Sequence, residues 1–156
     1  MISILSKGLI VEKDSVTLEQ IIEDVRKNVN FGKAGDIISF TGTARETSIL
    51  SEKKVKQIEI QAYKELAEKQ LSQICEELIN QYDLIDARVI HYTGFFKVGE
   101  TLVNCVVASK HRKEGFKALS QMINEYKHRA YIFKCEIYTD GSLNWISTEK
   151  EEKVQE

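Results

Sequence analysis

Alternation and helical period divide this chain into elements before any composition is counted. Val55–Ala62 alternates, with Ile58, Ile60 and Ala62 on one side and Gln57, Glu59 and Gln61 on the other. That predicts a half-buried strand. Lys64–Tyr82 repeats Ala67, Leu71, Ile74, Cys75, Leu78 and Tyr82 at helical spacing, which predicts the longest helix. Residues 17–28 give a shorter helix through Leu18, Ile21, Ile22 and Val25, with Thr17 and Gln20 spaced as a capping box. Residues 35–45 read as a strand through Ile37, Ile38 and Phe40, and residues 1–7 as a first strand. Residues 87–93 and Thr101–Ser109 read as strands around a turn at Gly94 and Gly99. The second is nearly continuous in apolar character, as a central strand is. Arg112–Arg129 follows as a third helix, then Ile132–Tyr138 and Leu143–Ile146 as a hairpin around Asp140-Gly141. The polar residues 46–54 are expected to form a mobile loop over whatever site lies beside Arg45. Strands interspersed with three helices predict α+β architecture: one domain over 1–146, then a charged, flexible tail over 147–156.

Composition narrows the function classes. A chain of 156 residues is one domain by default. A net charge of -2 and a pI near 6.0 argue against general nucleic-acid binding. No apolar run approaches the ~20 residues that span a bilayer. Residues 1–7 lack the order of a signal peptide, so a cytoplasmic location is expected. Cys75, Cys105 and Cys135 are too far apart for a CxxC pair and odd in number, and read as buried thiols. His91, His111 and His128 lack ligand spacing, so no metal is expected. P-loop, dinucleotide and nucleophile-elbow motifs are absent.

The remaining chemistry is cationic. On a helical wheel with Phe116 at the origin, Leu119, Met122, Ile123, Tyr126 and Ala130 form one stripe. Arg112 projects into that stripe and Lys127 lies at its edge. Arg112 also sits at a helix N-terminus, where the dipole disfavours positive charge unless an anion is bound. Arg45, His111, Arg112, Lys127 and Lys134 are therefore the candidates for a small-anion pocket. Arg offers a planar fork for phosphate or carboxylate, and Lys a proton donor, or a base or nucleophile where burial lowers its pKa. Each also has a plainer reading: Arg45 solvated, His111 bonded to backbone, Lys127 and Lys134 on the surface. His91 and His128 read as structural. These patterns name no reaction.

One arrangement of motifs does. Phe40-Thr41-Gly42 with Arg45, His91 with Gly94 and Gly99-Glu100, Ser109 with His111-Arg112, and Lys127 followed by Lys134 and Glu136 occur in a specific order. In this the chain resembles the large, catalytic subunit of molybdopterin synthase. The resemblance implies an α/β hammerhead-like fold and a homodimer at the centre of a heterotetramer. It implies sulfur transfer to cyclic pyranopterin monophosphate, giving the molybdopterin dithiolene. The sulfur would come from a thiocarboxylate on the C-terminal Gly-Gly of a small ubiquitin-like subunit, with no cofactor. Lys127 and Lys134 would be catalytic, and Arg45, His111 and Arg112 would bind the substrate phosphate. The chain departs from the family pattern at Tyr131, where proline is usual, and at Phe133, Asn124 and Tyr92. The alternative is a non-catalytic phosphate-ligand binding or regulatory domain of the same fold, and a third reading is a scaffold whose cations only pair with acids.

Overall fold

The computed structural model describes residues 5–146. The elements run β1 (Gly8–Glu12), α1 (Leu18–Arg26), β2 (Asp36–Thr43), β3 (Val55–Ala62), α2 (Lys64–Tyr82), β4 (Asp86–Lys97), β5 (Thr101–Ser109), α3 (Arg112–Arg129), β6 (Ile132–Tyr138) and β7 (Leu143–Ile146), with one 3-10 turn at Phe31–Lys33. Thr17 and Gln20 form the expected capping box at the start of α1. Helix α2 stops at Asp83, whose φ of 51° is left-handed.

The strands pair in the order β2-β5-β4-β3-β6-β7, with β1 beside β4. β1 and β4 are parallel, and the other pairings are antiparallel. The α+β expectation, with a mixed sheet and three α-helices, therefore holds. α2 and α3 cover one face of the sheet, where Leu71, Ile74 and Met122 meet Val89, Val103, Cys105 and Val107. On the other face Ile21 and Val25 of α1 belong to a second cluster with Ile90, Val106 and Ala108. β5 is thus apolar on both faces, which is why its sequence does not alternate.

Two expectations need correction. Residues 1–4 of the predicted first strand lie outside the described residues, and residues 5–7 are not in a strand. At Leu5 the backbone is held by side chains instead: its N–H donates to Asp24 Oδ2 and its carbonyl accepts from Arg88. The strand starts at Gly8, where a Cβ would lie 2.5 Å from the Ser72 nitrogen of α2. Gly94 is not in the turn. It lies inside β4 with φ +120°, a value that side chains rarely tolerate. There β4 bends: through His91 it pairs with β5, and from Gly94 onward with β3. That switch carries β3, β6 and β7 round to face α3.

A buried ion triad anchors the opposite side. Arg88, 4 % exposed, makes two 2.9 Å bonds to Asp86 and one of 2.6 Å to Asp24. Burial would raise the Asp86 carboxyl, but the Arg88 hydrogen bonds and charge outweigh it and hold the group below the usual range. Cys75, Cys105 and Cys135 are buried free thiols, as expected. Burial pushes Cys75 up to about 12, so it is an inert core side chain.

Candidate active site

The bend in β4 leaves a cavity of about 490 Å³ between the end of α3 and the sheet. Three of the five candidate residues line it: Arg45, Lys127 and Lys134. Each is positioned by a different element. Arg45 follows buried Ala44, whose N–H donates to the Glu100 carbonyl and whose carbonyl accepts from Gly99. Lys127 follows buried Tyr126 in the last turns of α3. Lys134 and Glu136 occupy one side of β6, paired with Ile60 and Ile58 of β3. Those isoleucines also line the cavity, so its wall is apolar beside the polar groups.

The other two candidates are elsewhere. Arg112 begins α3 and Lys127 lies fifteen residues later, which at ~1.5 Å per residue separates their backbones by roughly 22 Å. His111 and Arg112 are both exposed and do not line the cavity. The expectation that Arg112 projects into the apolar stripe of α3 is therefore overturned. Phe116, taken as the wheel's origin, is itself 59 % exposed. The buried face runs through Gly115, Ala118, Leu119, Met122 and Tyr126, which rotates the core away from Arg112.

Two further groups enter the site. Glu136, named in the motif but given no role, is buried, and its Oε1 accepts the hydroxyls of Ser48 (2.7 Å) and Tyr138 (2.8 Å). His91, read as structural, lines the cavity with its ring edge-on to Tyr126 at 5.8 Å. Burial pushes its pKa down to about 4, with the Lys134 charge acting in the same direction against the hydrogen bond to the Tyr92 carbonyl. A sequence signal existed. By strand alternation His91 shares the face of Ala87 and Val89, a polar residue in an otherwise apolar row. Among the described residues no acid, histidine and cysteine cluster could hold a metal ion, and no helix is long and apolar enough to cross a membrane.

Fold and site together define a small α+β domain with a cation-rimmed cavity suited to an anionic small molecule. The family model described as MoaE protein matches residues 11–129. A molybdopterin synthase catalytic subunit of Pyrococcus abyssi is 31% identical over 134 residues, covering 86% of this chain and 88% of that protein. The one from Bacillus subtilis is 33% identical over 141 residues, covering 90% and 85%. The crystal structure of molybdopterin synthase from Staphylococcus aureus superposes with a TM-score of 0.77 at 26% identity, over 89% of this chain and 96% of that one. A structure from Helicobacter pylori, a complex of subunits 1 and 2 of molybdopterin-converting factor, has the same fold at a TM-score of 0.68 and 15% identity, over 92% and 90%. The chain belongs to the MoaE protein family, whose matched members include catalytic subunits of molybdopterin synthase, which act in molybdenum cofactor biosynthesis.

Proposed function

We propose that this chain transfers sulfur from the C-terminal thiocarboxylate of a small ubiquitin-like subunit to cyclic pyranopterin monophosphate, forming the dithiolene of molybdopterin. The observation that carries the reading is the convergence of Arg45, Lys127 and Lys134 on one cavity from three separate elements. A thiocarboxylate attacking a pterin carbon needs its negative charge held and a proton delivered to the oxygen that leaves. Lys127 and Lys134 suit both tasks, and Arg45 suits the phosphate. The catalytic relatives favour this over the non-catalytic phosphate-binding alternative.

A homodimer would account for the position of His111 and Arg112. One small ligand cannot span roughly 22 Å. In this reading a second copy brings its own His111 and Arg112 to the cavity mouth, and the phosphate lies between cations of both chains. The Gly-Gly tail enters from the other side, since glycine lets it thread a channel that any Cβ would block. The test is direct: mix the chain with the thiocarboxylated partner and the cyclic pterin and measure dithiolene. A partner lacking its two terminal glycines should give none while keeping much of its affinity. Absence of binding to any Gly-Gly-tailed ubiquitin-like protein would remove the synthase reading.

A further inference from the structure

The His91 side chain is held in one tautomer. Its Nδ1 lies 3.1 Å from the Tyr92 carbonyl oxygen. A carbonyl only accepts, so Nδ1 carries the hydrogen. Burial keeps the ring neutral, and a neutral imidazole has one N–H, so Nε2 bears a lone pair. Among the described residues Nε2 has no hydrogen-bond partner, yet it is not sealed in protein. Among the described residues, the buried side-chain polar atom left without a partner is Asp24 Oδ1, on the other side of the sheet. Nε2 therefore opens into the cavity that His91 lines. The Tyr126 ring, edge-on at 5.8 Å, keeps the imidazole plane in place.

The neighbours of Nε2 give this lone pair a distinct use. Arg45, Lys127 and Lys134 have only donors to offer. Oε1 of Glu136 already accepts two hydroxyls, which leaves its Oε2 as the other carboxylate acceptor at the cavity, and Thr41 donates to Asn104. A phosphate or thiocarboxylate needs donors and finds them at the cations. A heterocycle carrying N–H groups needs an acceptor as well, and an unmet donor in a desolvated site costs binding.

We propose that His91 is a specificity-determining residue of this cavity, its Nε2 accepting a hydrogen bond from an N–H donor on the ring of the bound heterocycle. The cations hold the anionic end of the ligand and His91 reads its ring. The inference rests on the sulfur-transfer reading above in taking a pterin as the ligand.

Two measurements on the full chain test it. The first is calorimetric titration with cyclic pyranopterin monophosphate and, separately, with inorganic phosphate. His91→Phe fills the ring volume without an acceptor, so pterin affinity should fall roughly tenfold while phosphate affinity stays. His91→Gln puts a carbonyl oxygen near the Nε2 position and should recover most of the loss. The second uses the unaltered chain: the nitrogen NMR signal of His91 Nε2 should move when the pterin is added and stay still with phosphate. This second measurement does not depend on a variant folding. If the unaltered chain binds the pterin but the Nε2 signal does not move, the inference is wrong and the synthase reading stands. Unchanged pterin affinity in His91→Phe, or a loss confined to turnover with affinity intact, also overturns it. If the unaltered chain does not bind the pterin, both readings fall.

Discussion

Glu136 Oε1 accepts the Ser48 hydroxyl at 2.7 Å, which ties the loop after Arg45 to the strand that carries Lys134. The loop is further closed by Val55 N–H donating to the Glu46 carbonyl and by a Thr47–Lys54 bridge. Thr47 lines the cavity, and Ile49 and Leu50 are half-buried. Residues 46–54 thus form a strap whose buried latch is the Ser48–Glu136 bond, with Lys53 to Asp140 and Ser142 and the Lys54 carbonyl to Thr139 N–H tying its far end to the β6–β7 hairpin. Ser48→Ala should speed amide exchange across the strap about tenfold or more, since a hydrogen bond to a carboxyl group contributes on the order of 1.5 kcal/mol. In the unaltered chain the pterin should slow that exchange. Equal exchange with and without ligand would count against a closing strap.

Lys127 is exposed at the edge of the buried face of α3, so it contributes little core area. Lys127→Ala should keep the unfolding midpoint and lose at least ~10²-fold in turnover, the effect of removing a positioned proton donor. Near-normal dithiolene formation by the pure variant would exclude Lys127 from the chemistry.

The proposed sharing of the site between two copies predicts complementation. Lys127→Ala and Arg112→Ala chains should each be nearly inactive alone. Mixed and allowed to exchange subunits, they should regain a substantial fraction of activity, because one site in each mixed dimer then has both residues intact. Additive, near-zero activity in the mixture would confine each site to one chain.

His91 makes the fold acid-sensitive in a defined window. Burial pushes its pKa down to about 4 in the folded chain, against about 6.5 for a free imidazole. The unfolded chain therefore takes up the proton first. Stability is fully present above pH 6.5 and is lost as pH falls toward 4, by about 3 kcal/mol in all. Denaturant unfolding of the unaltered chain and of His91→Phe at pH 7.5, 5.5 and 4.5 isolates this contribution as a difference. The gap between them should shrink or reverse in the variant's favour as pH falls, and parallel pH curves would contradict it.

The Arg88 triad predicts a stability effect remote from the cavity. Arg88→Met leaves Asp24 and Asp86 buried without their cation. The expected cost is about 3–5 kcal/mol. A change below ~1 kcal/mol in chemical denaturation would show that the two acids find other compensation.

Local pattern alone determined α2, α3, β3, β6 and β7, each observed with the expected ends. It also determined the capping box of α1 and the interior place of β5, because period, caps and turns act between residues close in the chain. The motifs carried the family. What tertiary structure decided are relations between distant segments. A wheel gives the width of an apolar stripe but not which angle meets the core, so the placement of Arg112 failed when Phe116 turned outward. A glycine pair marks turns, but only the pairing of Gly94 with Ile60 shows β4 continuing through a bend. That bend gathers Arg45, His91, Lys127 and Lys134 round one cavity and leaves Arg112 at the far end of α3. No spacing along the chain encodes such a meeting, since it depends on which strands pair and where one of them changes partners.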